Sequence, residues 1–140
     1  MPGIFVPDVG ESALELATKT PGAAKSIEPA GPGFFIVNID AYPTDFAPDL
    51  PKAEAHFMAI SQVPVSAAAF GGKATVAAWK DKPSYYIVST NDRMINPDLE
   101  RFMSKRAKAQ TIEIPSSHVV MQSHPKEAAA LIEKAAAAAK

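Results

Sequence analysis

The sequence predicts an α/β fold with about three parallel strands and flanking helices, and three observations point there. Two apolar runs rich in β-branched and aromatic residues, 84–90 and 110–114, are separated by a segment with helical spacing and followed by another. A strand–helix–strand–helix order is that of a parallel sheet covered by its crossovers. Each run is followed by a residue able to do chemistry, Asp92 after the first and His118 after the second. Parallel α/β sheets carry their functional groups there, just beyond the C-terminal ends of strands.

Composition sets the bounds. At 140 residues the chain is one domain by length. A chain of this size buries about 68–70% of the surface its unfolded form exposes, enough for a core. Apolar residues at 47% and charged residues at 21% fit a globular protein. The net charge of −1 leaves no electrostatic footprint for nucleic acid or for an anionic membrane. With no cysteine, disulfides, thiolate metal sites and thiol nucleophiles are excluded. The first residues, Met1 to Asp8, lack the basic and long apolar regions of a signal peptide. No apolar run approaches the ~18 residues of a membrane span, so the cytoplasm is the expected location.

Ile4-Phe5-Val6 reads as a stub of strand, closed by the turn signal Pro7-Asp8-Val9-Gly10. Glu11 to Lys19 has helical composition, with Leu14, Leu16 and Ala17 apolar, and Thr20 to Gly33 reads as loop. Phe34-Phe35-Ile36-Val37 is a short strand or hairpin. Asp40 to Pro51 contains Pro43, Pro48 and Pro51 and cannot be one helix. Asp49 is the expected N-cap of a helix from Leu50 to about Ser61, and Val65 to Phe70 a short helix ended by Gly71-Gly72. Ser84 to Thr90 is a buried strand. Asn96 then caps a helix with Pro97 in first position. Leu99, Phe102 and Met103 give that helix one apolar face. Lys105, Arg106 and Lys108 suit its C-terminal dipole end. Gln110 to Ile114 is the next strand. Ser123 or His124 starts the last helix, which Leu131 and Ile132 anchor and whose Ala135–Ala139 tail is expected to fray.

Adjacent parallel strands lie about 4.8 Å apart, so Asp92 and His118 can meet. The Asp would hold the imidazole in one tautomer and stabilise its protonated form; the imidazole would shuttle a proton to and from a nucleophile. On spacing alone the plainer reading is a turn-capping Asp and an ordinary loop histidine. The chain order acid-then-base is that of the last two members of a Ser–Asp–His triad, but no G-x-S-x-G turn occurs in the sequence. Gly10-Glu11-Ser12-Ala13-Leu14 looks like such a turn only superficially, lacking the second glycine, and a helix cap is the better reading. His56 and His124 fit a helix and a helix start. Three scattered histidines with no paired spacing give no metal site. Asp40, Asp45 and Asp49 read as loop and cap carboxylates. Phe34, Phe35, Phe46, Phe57, Met58 and Phe70 either line a pocket or are core, and Trp79 anchors the entry to the following strand.

The wider context carries a resemblance. The stretch Ala78-Trp79-Lys80-Asp81-Lys82-Pro83-Ser84-Tyr85-Tyr86-Ile87-Val88, continued by Asn91-Asp92-Arg93-Met94-Ile95-Asn96-Pro97, resembles α/β-hydrolases of the small esterase and hydroxynitrile-lyase-like group. So do Arg101-Phe102-Met103-Ser104-Lys105-Arg106 and Pro115-Ser116-Ser117-His118 with Ser123-His124-Pro125. Pro7-Asp8-Val9-Gly10-Glu11-Ser12 is similar to the loop after the family's sixth strand. Residues 30–75, with Asp49-Leu50-Pro51 and Ala67-Ala68-Ala69-Phe70, resemble its lid. The resemblance covers nearly the whole chain and rests on the ordered set. It implies the C-terminal part of an α/β-hydrolase fold with a small helical lid, Asp92 as triad acid and His118 as triad base. It also implies that the nucleophile half precedes the point where this chain begins, with Met1 inside or just before strand six.

The expected chemistry of the intact form is hydrolysis of a small carboxylic ester through an acyl-enzyme, with no cofactor, no metal and no nucleic-acid or membrane partner. Relatives use the same triad on C–C or C–CN bonds, so reaction class stays open. Alone, the chain is expected to be weakly active or inactive, with Ser117 or Ser12 the first suspects should a nucleophile emerge. The alternative is a non-catalytic binding module that self-associates through an unpaired sheet edge.

Overall fold

The computed structural model describes residues 4–138. Helix α1 (Ala13–Lys19) opens on a capping box: the Ser12 hydroxyl accepts from the Glu15 amide while the Glu15 carboxylate accepts from the Ser12 amide. There follow strands β1 (Ile27–Pro29) and β2 (Phe34–Val37), helices α2 (Tyr42–Asp45) and α3 (Lys52–Ser61), strand β3 (Val65–Ser66) and helix α4 (Ala67–Gly71). A single helical turn, Ala78–Lys80, leads into strand β4 (Tyr85–Ser89), helix α5 (Pro97–Arg106), strand β5 (Gln110–Ile114), and helices α6 (Val120–Ser123) and α7 (Pro125–Ala138).

The C-terminal half is the expected β–α–β–α unit. β4 and β5 pair in parallel, Tyr85 opposite Gln110 through Ser89 opposite Ile114. Side chains alternate along β4 with the period of a strand. Tyr86 and Val88 pack with Leu16, Ile95, Leu99 and Met103 on one face; Ile87 packs with Ile114, Val120, Ala128 and Leu131 on the other. β4 is thus buried between α1 and α5 on one side and α7 on the other, whereas β5 is exposed until Ile114.

The third expected strand is not formed. Ile4–Val6 carries no strand pairing and bonds to side chains instead: the Tyr86 hydroxyl donates to the Ile4 carbonyl at 2.9 Å, and the Val6 amide to Met103 Sδ at 3.2 Å. The expected placement of Met1 lies outside the described residues, as does the final alanine of the tail; α7 is helical through Ala138. The 20–33 loop contains β1, which pairs antiparallel with β2, and β2 in turn pairs with β3. Val65–Ser66 is therefore strand, and α4 starts at Ala67 with Ser66 as its cap.

Three further expectations change. Phe102 is 52% exposed, and Glu100, at 0%, takes the buried place between Leu99 and Met103. Ile132 is 63% exposed, leaving Leu131 and Ala128 as the anchors of α7. Arg106 does not simply complement the helix dipole. It reaches 2.7 Å to the Glu11 carboxylate and also donates to the Val6 carbonyl, tying α5 to the start of the chain.

A second core lies in the 27–71 segment. Val37, Tyr42, Ala47, Ala55 and Ala59 enclose Val119, with Phe46, Leu50, Met58 and Met94 around them. Val119 adjoins His118, and Met94 lies two residues past Asp92. The insertion is therefore packed directly onto the loops that leave β4 and β5. Among the described residues no helix is long and apolar enough to cross a membrane.

Candidate active site

Strand register brings Asp92 and His118 together. The parallel ladder does not stop at the strand ends: the Thr90 amide donates to the Ile114 carbonyl at 2.9 Å and the Asn91 amide to Ser116 at 3.1 Å. The two loops leave the sheet stitched side by side. A turn closed by the Asp92 amide on the Ser89 carbonyl at 3.0 Å then places the Asp92 side chain back under the loop.

Asp92 Oδ2 lies 2.7 Å from His118 Nδ1. The other oxygen, Oδ1, accepts from the Met94 amide at 2.7 Å and the Ile95 amide at 3.0 Å. Asp92 thus both caps its turn and faces the imidazole, so the two sequence readings of this residue describe its two oxygens. Its side chain is 0% exposed and that of His118 is 20% exposed. A carboxylate acceptor fixes the proton on Nδ1 and leaves the Nε2 lone pair as the basic position. The edge of the imidazole meets the Phe46 ring at 4.6 Å between centroids.

Asp49 is not the cap of α3; Pro51 occupies that position with no side-chain cap. Its carboxylate instead accepts from the Ser117 amide at 2.8 Å and from the Ser117 hydroxyl. Burial alone would raise this carboxyl, but the Ser117 hydroxyl and amide and the Ser123 hydroxyl outweigh it and hold it below its ordinary value. Asp49 therefore clamps the residue before His118 to the insertion. Asp49→Ala is expected to leave the Ser117 donors unpaired and cost roughly 1–3 kcal/mol, with Asp49→Asn recovering part of it. Urea denaturation of the two variants checks this; equal stability of parent and alanine variant would dismiss the clamp.

Asp45 is likewise engaged, by Arg93 Nε at 2.9 Å, which fixes the residue after Asp92 to α2. Asp40 is exposed. Ser12 is the buried N-cap of α1 and Ser117 is held by Asp49, so neither hydroxyl is bonded to the imidazole. Among the described residues no hydroxyl hydrogen-bonds to His118 at all. His56 is exposed, and His124 Nδ1 lies 2.9 Å from Ser123 Oγ at the α6–α7 junction. The expected row of pocket residues divides: Phe46 and Met58 join the core beside His118, Phe70 meets Phe5, and Phe34, Phe35 and Phe57 are exposed. Trp79 anchors its segment through Nε1 to the Pro7 carbonyl at 3.0 Å. Among the described residues no cluster of His, Asp and Glu could hold a metal ion.

Glu100 escaped the sequence reading. It is wholly buried on α5, and its Oε2 accepts from the Ser89 amide at 2.6 Å. Burial first, and then the neighbouring Asp92 carboxyl, push it up to about 8, against the pull of the Ser89 amide and the Arg101 charge. The available signal was positional: residue 100 falls between Leu99 and Met103 on the sheet-facing stripe.

The fold and this pair define an α/β protein that holds an Asp–His contact beyond the ends of two adjacent parallel strands. The comparisons place it further. The model of the alpha/beta hydrolase family matches residues 3–131, and the chain belongs to that family. No curated protein matches it. Among solved structures it is similar to a pyrethroid hydrolase from Sphingobium faniae JZ-2, with 19% identity and a TM-score of 0.72, covering 92% of this chain and 56% of that one. It is also similar to polyneuridine aldehyde esterase, with 16% identity and a TM-score of 0.69, covering 91% of this chain and 57% of the other. The chain thus spans little more than half the length of these structures.

Proposed function

We propose that this chain supplies the acid–base half of a serine esterase, with His118 as general base and then general acid and Asp92 as the residue that orients it. The carrying observation is the 2.7 Å contact between buried Asp92 Oδ2 and His118 Nδ1, at the ends of adjacent parallel strands. An imidazole held in this tautomer takes a proton at Nε2 from an attacking hydroxyl and returns it to the leaving alcohol. That chemistry needs a nucleophile and an oxyanion hole, which belong in the remaining part of a hydrolase fold. Two facts support their lying elsewhere: the sequence has no G-x-S-x-G, and the chain spans 57% of the esterase structure it resembles. The substrate class is a small carboxylic ester. The segment from β1 to α4, packed on the loops of both residues, acts as the lid over the acyl pocket, with Phe46 and Met58 among its walls. The names of the similar structures, a hydrolase and an esterase, agree with this class.

The test uses the protein as its native cells make it, isolated through these residues and assayed with a chromogenic acetate ester and a fluorophosphonate probe. Turnover is expected, with the probe on a serine outside residues 1–140. Native material that neither turns over ester nor takes the probe would sink the esterase reading and favour the non-catalytic module.

A further inference from the structure

We infer that Glu100 is a positioning residue of the acid–base pair, held as a neutral carboxylic acid that donates its proton to the Asp92 carboxylate from within the core. The inference rests on the esterase reading for its purpose but not for its geometry. Glu100 is 0% exposed, and its two oxygens are served unequally. Oε2 accepts from the Ser89 amide at 2.6 Å, whereas the buried Oε1 meets no donor. Glu100 and Asp92 meet around Ser89, whose amide donates to Glu100 and whose carbonyl accepts from the Asp92 amide at 3.0 Å, and the Asp92 carboxyl acts directly on that of Glu100. Two carboxylates offer each other only lone pairs, so such a contact bonds only if one of them keeps a proton.

The surroundings decide which one does. Asp92 accepts from the Met94 and Ile95 amides and faces His118 Nδ1, so both of its oxygens are already engaged as acceptors. Glu100 receives one amide and lies deeper. The Arg101 charge, next on α5, pulls the other way only from a distance, because its guanidinium is bonded to Glu113 and Asp98. The other titratable group facing it, Tyr86 on β4, gives its hydroxyl proton to the Ile4 carbonyl. The proton therefore resides on Glu100, at Oε1, the oxygen otherwise without a partner. The result is a chain of carboxylic acid, carboxylate and imidazole that fixes Asp92 from the core side while it holds His118 from the other.

Nuclear magnetic resonance on the full chain tests this without requiring catalysis. With glutamate labelled at the carboxyl carbon, and the Glu100 signal assigned by its loss in Glu100→Gln, that carbon is expected to stay protonated through neutral pH. It should titrate near pH 8, far above the surface glutamates. Glu100→Gln keeps a donor for Asp92 and an acceptor for the Ser89 amide, so the hydrogen-bonded Nδ1 proton signal of His118 should persist in place. Glu100→Leu should shift that signal or lose it to exchange. A Glu100 carbon that titrates with the surface glutamates overturns the inference, as does a His118 signal that Glu100→Leu leaves unmoved. Should Glu100→Leu fail to fold, the carbon titration of the parent still decides. An inactive native protein would sink the esterase reading while leaving these spectra to be read on their own terms.

Discussion

In the esterase proposed above, Asp92→Asn is expected to lower kcat by about ten-thousand-fold while leaving KM nearly unchanged, and His118→Ala to be at least as damaging. The magnitude follows from which atom of the new amide faces the ring. The Met94 and Ile95 amides donate to Oδ1 at 2.7 and 3.0 Å, so the asparagine must turn its oxygen toward them. Its NH2 group then occupies the Oδ2 position, 2.7 Å from His118 Nδ1 in the parent. A donor there forces the imidazole proton onto Nε2, the position that should be accepting from the nucleophile. The fold stays intact and the base is held in the wrong tautomer. Steady-state kinetics with a chromogenic ester measures the effect. Unchanged kcat in Asp92→Asn would show that the pair is not the proton relay.

Gly22→Ala should have the second largest effect, at a position far from the pair in sequence. A Cβ at Gly22 would lie 2.3 Å from the Met94 carbonyl oxygen, 2.5 Å from that of Arg93 and 2.7 Å from the Met94 carbonyl carbon. All three are backbone atoms, which cannot swing aside as a side chain does. The neighbouring chain is already bonded to the same loop: the Ala24 amide donates to the Arg93 carbonyl at 2.7 Å, Pro21 bridges Ile95, and the Asn96 side chain donates to the Pro21 carbonyl. Relief must come from moving residues 93–95, of which Met94 and Ile95 hold Asp92 through their amides. Overpacking of this kind costs about 1–3 kcal/mol. Denaturant midpoints and kcat should therefore fall together. Gly71→Ala is the control, since its Cβ would meet only the Leu14 side chain at an ordinary 3.8 Å. If both glycine variants behave like the parent, the close approach of the two segments is not a constraint.

The family resemblance was legible in the order of motifs, and the family match agrees with it. The Asp92–His118 contact was legible for a simpler reason: both residues follow short apolar runs whose parallel pairing is dictated by the helix between them. The insertion was harder to read. β1 is three residues of exposed chain and β3 is two, and neither has the alternating pattern that marks a half-buried strand. They exist because β2 offers both edges.

Local chemistry by itself determined much of this protein. The Ser12 and Asn96 caps, the Pro97 start, the continuous apolar run of β4 and the placement of an acid and a base after successive strands all depend on residues within a few positions of one another. Tertiary structure alone decided which polar residues turn inward. Asp49 could cap a helix beside it or bind Ser117 68 positions away, and the partly buried serine donors won. Phe102 and Glu100 competed for the sheet-facing side of one helix. The carboxyl took it because the Ser89 amide and Asp92 lay there to receive it. A buried hydrogen-bonding group needs its partner, and a partner from another part of the chain is visible only once the chain has folded.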